Sequence, residues 1–267
     1  MNLIVKNLET PGKRFEVVNK DSDEATIYLY DVIDDWYGVS AQAFVKELNG
    51  ITASTINLRI NSPGGDVFAG RAINTALKQH KSKVIAHIDG LAASAATYVA
   101  LGADEVRMSD GAFFMIHKGW TYMVGNADDC RTTAELLDKV DLSIANDYAK
   151  KTEIATDELI EMMAAETWFT AEEAKEKGFV DTVFDGDEVS NSYDLSEFSH
   201  TPEKIKQPEN KANIEMSFSG SLTDSDIERI AAKLKAELTP EEEPAPAYNA
   251  RTPYYKKLNQ ILEQGNA

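Results

Sequence analysis

Ser94 lies in Asp89-Gly90-Leu91-Ala92-Ala93-Ser94-Ala95-Ala96, directly after the β-branched run Val84-Ile85-Ala86-His87-Ile88. A second corner, Asn61-Ser62-Pro63-Gly64-Gly65-Asp66, follows Ile56-Asn57-Leu58-Arg59-Ile60. A strand ending in a tight small-residue turn at a helix start can aim backbone N–H groups at a developing anion. It can also expose a serine hydroxyl at a sharp bend. One corner with a serine and another rich in glycine point to acyl transfer at Ser94.

A serine hydroxyl is a poor nucleophile at neutral pH and needs a neighbouring base. Four histidines are available. His80 sits in polar Lys78-Gln79-His80-Lys81 and reads as solvated. His87 lies inside a strand and reads as a buried structural residue, and His200 belongs to the tail. His117 ends Phe113-Phe114-Met115-Ile116, where strand gives way to loop, so it is rigidly held yet accessible. It suits the base, although a structural histidine fits the same position. A third group must orient the imidazole and stabilise its cation. Glu166 precedes the apolar step Thr167-Trp168-Phe169 and stands out, but most carboxylates in so acidic a chain are solvated surface charges. The single cysteine, Cys130, is a weaker candidate nucleophile in the polar stretch 126–131.

These residues need a frame. The chain has 267 residues, room for one large domain or a domain with an appendage. A net charge of −18, from 45 acidic and 27 basic residues, disfavours a nucleic-acid partner and an anionic membrane surface. No apolar run is long enough to span a bilayer, and the N-terminus lacks signal-peptide character, so a cytosolic setting is expected. One cysteine excludes an internal disulfide. There is no Gly-x-x-x-x-Gly-Lys-Ser/Thr phosphate loop, and nothing calls for a cofactor or metal.

Strand and helix patterns alternate from Ala25 onward. Ser40 caps a helix to about Leu48, with Ala43, Phe44 and Leu48 on one face. Val67 to His80 is helical with Ala69, Ala72, Ile73 and Leu77 as its apolar face, and a small-residue helix follows Ser94. Strands fall around Val106 and from Ala112 to Ile116. A long helix spans about Thr132 to Lys151, with Leu137, Val140, Ile144 and Tyr148 in register. Thr156 can cap the next helix, and Thr170 to Glu173 reads as a capping box. A last strand follows Gly178. Such alternation predicts an α/β fold with a mainly parallel sheet. After about residue 185 the chain turns polar. An amphipathic helix is expected from about Thr223 to Leu238, then a Pro240–Pro246 linker and a tail with a short helix around Leu258. Residues 1–185 thus form the expected main domain and 186–267 a linker and partly disordered tail.

Ser62-Pro63-Gly64-Gly65, Gly90-Leu91-Ala92-Ala93-Ser94-Ala95, Met115-Ile116-His117 and Thr170 to Asp181 together resemble the Clp peptidase (ClpP-like) family of serine peptidases, in order and spacing as well as content. Tyr30-Asp31-Val32-Ile33 with Trp36, Ile60 to Gly70, and Glu166 to Ala171 are most similar to its phage branch, the head maturation (prohead) proteases. The resemblance covers about Ile27 to Phe184. It implies a ClpP/crotonase-like fold of stacked βαβ units with a long handle helix. It implies Ser94 as nucleophile, His117 as base and the N–H groups of Gly65 and Ala95 as oxyanion hole. The extended backbone from Gly64 to Phe68, with Gly64, Asp66 and Val67 as substrate-binding residues, is expected to pair with substrate as an added strand, glycine permitting close main-chain approach. Glu166 stands where housekeeping members place an aspartate, with Asp141 and Asp138 in reserve.

The activity so implied is serine endopeptidase cleavage of scaffold and capsid proteins. The enzyme would be a ring-forming homo-oligomer in the host cytoplasm, inside assembling proheads. The apolar face of the Leu137–Tyr148 helix is the expected ring contact. Three other readings compete: a housekeeping Clp peptidase fed by an ATPase ring, a crotonase-type thioester enzyme, and a non-catalytic shell component. The tail suits a docking arm or a self-cleaved segment.

Overall fold

The computed structural model describes residues 15–19, 22–186, 193, 195–203 and 205. Alternation writes the sheet. In β2 (Glu24–Leu29) Ala25, Ile27 and Leu29 are buried, and in β3 (Thr55–Ser62) Ile56, Leu58 and Ile60 are. Side chains alternate across a strand, so this period turns one face into the core. β1 (Glu16–Val18), a strand absent from the sequence reading, pairs antiparallel with β2.

The strand order is β1-β2-β3-β4-β5-β8, with β4 at Lys83–Ala93, β5 at Glu105–Ser109 and β8 at Thr182–Phe184. Pairings from β2 to β8 along this path are parallel. The length of β4 matters most. Its Ile85–Ile88 stretch pairs with β5, and Leu91, Ala92 and Ala93 then pair with β6 (Phe113–Ile116). β6 in turn pairs antiparallel with β7 (Thr167–Thr170), a strand where the sequence showed only an apolar step. The ends of β4 and β6 therefore lie side by side, carrying Ser94 and His117.

Helices cover the buried face. α1 (Ala41–Leu48) is capped by Ser40 and buries Phe44 and Leu48, as expected. α2 (Val67–Gln79) buries Ala69, Ile73 and Leu77, but Ala72, expected on that face, is exposed. Asn74 is buried instead, its Nδ2 donating to the Tyr98 carbonyl at 2.6 Å. α3 (Ala95–Ala100) is entirely buried. α4 begins earlier than expected and spans Ala127–Thr152, because Asn126 and Asp129 form a capping box. α5 (Thr156–Ala164) starts at Thr156 with Ala155 at the cap position, so Thr156 is not the cap. α6 (Ala171–Glu176) carries the expected Thr170–Glu173 box.

Part of the stretch expected to be linker packs on the domain. Leu195 is buried with Leu91, Ala93, Phe113 and Met115. The expected helix at Thr223–Leu238, the Pro240–Pro246 linker and the helix around Leu258 lie outside the described residues. Among the described residues, no helix is long and apolar enough to cross a membrane.

Candidate active site

Ser94 occupies the corner between β4 and α3 with φ 54° and ψ −126°. A non-glycine residue there costs on the order of 1–3 kcal/mol and persists only where its surroundings over-determine it. Here they do. The Ser94 N–H donates to the Met115 carbonyl at 2.9 Å. The Ser94 carbonyl accepts from the Thr97 N–H at 3.0 Å and the Thr97 hydroxyl at 2.6 Å. Having spent its proton on Ser94, the Thr97 hydroxyl accepts from the buried Tyr148 O–H on α4. The long helix thus braces the corner.

The Ser94 hydroxyl and the Nε2 of His117 stand 2.7 Å apart, a hydrogen bond in line for proton transfer. Burial lowers the His117 pKa, and the charge of Glu166 opposes that shift. The imidazole is thereby kept neutral and able to accept a proton. No hydrogen bond joins Glu166 to His117 among the described residues. Instead Glu166 Oε1 accepts from Trp168 Nε1 at 3.2 Å and the His200 N–H at 2.6 Å, and Oε2 accepts from the Ser199 N–H at 2.8 Å. Its influence on His117 is through charge. Asp141, held in reserve as the acid, is buried and accepts from the Gly119 N–H at 2.7 Å. It anchors the loop after His117 without bonding the imidazole. Asp138 is exposed.

The second corner lies against the first. Gly64 has φ +93°, and a Cβ there would sit 2.5 Å from the Ala93 carbonyl oxygen and 2.7 Å from Ser94 Cβ. Gly64 is buried and shapes the Ser94 turn. Its carbonyl accepts from the Ile33 N–H at 2.7 Å, and the Asp66 N–H donates to the Ile33 carbonyl at 2.8 Å. In such a parallel bridge the intervening residue turns its own N–H away from the partner. Gly65 does so, beside Ala95, whose N–H is in the first turn of α3 and lacks an intrahelical partner. Gly65, Ala95, Ser94 and His117 share the wall of one cavity of about 430 Å³. Leu137, Val140, Ile144 and Met123 make its opposite side apolar. The face of α4 expected to join subunits also lines this cavity. Asp66 and Val67 also border it, with the Asp66 carboxylate capping α2 through the Ala69 N–H at 2.7 Å.

The Clp protease family model matches residues 10–187. This chain belongs to the Clp protease family. It is 32% identical over 179 residues to the ATP-dependent Clp protease proteolytic subunit 1 of Corynebacterium jeikeium, covering 66% of this chain and 95% of that protein. It is 32% identical over 174 residues to the corresponding subunit 1 of Streptomyces coelicolor, covering 63% and 78%. A solved structure of a ClpP1 mutant from Listeria monocytogenes superposes with a TM-score of 0.54 at 23% identity, over 60% of this chain and 91% of that one. The likeness confirms the ClpP-like α/β fold.

Several neighbours of the site in this Clp protease had no signal in the sequence. The Thr97–Tyr148 brace pairs residues on two helices, and Trp168 and Phe198 meet only through the fold. The main-chain donors of Ser199 and His200 carry no residue-type signature at all. The remaining candidates fall elsewhere. His80 Nδ1 accepts from the Ser82 N–H, and His87 Nε2 bonds Asn57 Oδ1 at 3.0 Å on the other face of the sheet. Asp89, from the Ser94 motif, is bound by Arg59 and Tyr30. Cys130 is exposed and touches Met123. Among the described residues no cluster of His, Cys, Asp and Glu is arranged to hold a metal ion.

Proposed function

We propose that this Clp protease family member is a serine endopeptidase of phage head maturation, cleaving scaffold and capsid proteins. The observation that carries the peptidase chemistry is the 2.7 Å bond between Ser94 and His117 on the wall of the cavity. His117 takes the hydroxyl proton as Ser94 attacks the scissile carbonyl. The N–H groups of Gly65 and Ala95 receive the oxyanion, each such donor being worth about 3 kcal/mol of barrier. The negative charge of Glu166 stabilises the imidazolium. His117 then protonates the leaving amine, and water repeats the sequence to free the acyl group. The apolar cavity suits an apolar substrate side chain next to the scissile bond.

Two features support the phage assignment. Glu166, with a longer arm than aspartate, stands where the resemblance puts the acid, and a segment beyond the family match packs beside it. Exposed Phe68, Leu136 and Leu142 suit contacts between copies in a ring. The setting is the assembling prohead in the host cytoplasm. A second reading, a general Clp subunit fed by an ATPase, is favoured by the names of the relatives. Co-expression with the neighbouring capsid and scaffold proteins, wild type beside Ser94→Ala, tests the choice. A truncated capsid or scaffold band that needs Ser94 supports head maturation. Cleavage of generic unfolded proteins alone supports the general subunit.

A further inference from the structure

Residues 195–203 follow the last strand of the domain, yet they lie against the acid side of the Ser94 site. Leu195 is buried among Leu91, Ala93, Phe113 and Met115, on the strands that lead into Ser94 and His117. The Tyr193 O–H donates to the Asn61 carbonyl at 2.7 Å, and the Thr201 hydroxyl donates to the Leu195 carbonyl at 3.2 Å. Between these anchors Phe198 meets two rings edge to face, His117 at 5.6 Å and Trp168 at 5.7 Å. Ser199 and His200 then turn their N–H groups onto the two carboxylate oxygens of Glu166.

We propose that residues 198–200 form a positioning strap that fixes the Glu166 carboxylate for its action on His117. The proposal rests on reading Ser94 and His117 as nucleophile and base. Glutamate has one more rotatable bond than aspartate, so its carboxylate needs external anchoring to hold one place. Two charge-assisted main-chain bonds and the Trp168 indole supply it. Glu166 also has φ 50°, a conformation that surrounding contacts must maintain. Phe198 covers the imidazole, and excluding water there lets the carboxylate charge act at a lower effective dielectric. The Ser94–His117 bond is already formed with the strap docked. That alignment separates positioning from restraint, since a strap that held the site at rest would leave the pair apart.

The test uses the full chain and a fluorogenic peptide with an apolar residue before the scissile bond. Ser199→Pro and His200→Pro each delete one N–H donor. Each is expected to lower kcat about tenfold, with KM within about twofold and the acidic limb of the pH profile moved to lower pH. In a Glu166→Ala background, adding Ser199→Pro is expected to cost less than about twofold further, because the strap acts through that carboxylate. Phe198→Ala keeps the backbone and serves if the proline variants do not fold. It lets water reach the imidazole and screen the Glu166 charge, and is expected to lower kcat about tenfold. A higher kcat in the proline variants, costs that multiply with Glu166→Ala, or an unchanged kcat in Phe198→Ala would each overturn the strap. If the wild type labels with a fluorophosphonate and the strap variants match it in every respect, the strap alone is wrong. If the wild type neither labels nor hydrolyses, the peptidase reading fails and the strap with it.

Discussion

The Ser94 N–H donates to the Met115 carbonyl at 2.9 Å, two residues before His117. This bond closes the β4–β6 ladder at its last pair, Ala93 and Met115. It locks the register in which hydroxyl and imidazole meet. A one-residue slip would send each side chain to the opposite face of the sheet. The chemistry is therefore set by backbone pairing, and the side chains inherit it.

Gly64→Ala tests how tightly the two corners are fitted. Its Cβ would meet Ala93 O, Ser94 Cβ and Ala95 N, all within 2.9 Å. Backbone cannot yield as a flexible side chain can. Loss of about 1–3 kcal/mol of stability is expected, with a larger fall in kcat than the stability change alone explains. Chemical denaturation beside peptide hydrolysis checks this; an active variant of normal stability would contradict it.

The cavity predicts a preference. Val140 lines its apolar side, on the helix opposite Ser94. Val140→Glu places a charge where an apolar substrate side chain would bind. Cleavage of peptides with leucine or methionine at that position is expected to fall by about tenfold or more, equivalent to about 1.4 kcal/mol. Profiling both proteins on one peptide library measures it, and an unchanged profile would dissociate the cavity from substrate recognition.

The acid can be identified from pH dependence. Burial lowers the His117 pKa and the Glu166 charge pushes it back up. Hence Glu166→Gln lets it fall further, moving the acidic limb of kcat/KM to lower pH while the maximal rate drops. Asp141→Asn weakens the anchor of the Gly119 loop and is expected to cost about 1–3 kcal/mol of stability. It leaves the limb in place. The reverse pattern would make Asp141 the acid.

His87 makes stability depend on pH. Burial, with the Arg59 and Arg107 charges, lowers its pKa from 6.5 to about 4. The unfolded chain takes up this proton near 6.5 and the folded chain only near 4. Between those values the unfolded state binds more protons, so stability falls as pH falls through the window. Above it His87 has no effect. His87→Gln should flatten this part of the Tm profile; an unchanged slope would place the titration elsewhere.

The site was legible where it is local. Pro63-Gly64-Gly65 and the Ser94 corner are turns whose residue types follow from their backbone angles, and His117 ends a visibly apolar strand. What stayed hidden depends on partners remote in sequence. Asn74 can be buried because the Tyr98 carbonyl meets its amide, which no helix pattern records. The first turns of α4 are solvated, so an apolar count starts the helix late, although Asn126 and Asp129 were there to cap it. Glu166 is held by main-chain donors that any residue carries. The Leu137–Tyr148 stripe was readable, but the cavity it lines beside Ser94 was not.

The most direct measurement is the mass of the full chain after reaction with a fluorophosphonate, with the adduct located by peptide mapping. A single adduct on Ser94, absent from Ser94→Ala and strongly slowed in His117→Ala, is the predicted result. A folded wild type that stays unmodified, or an adduct on any other residue, would contradict the assignment.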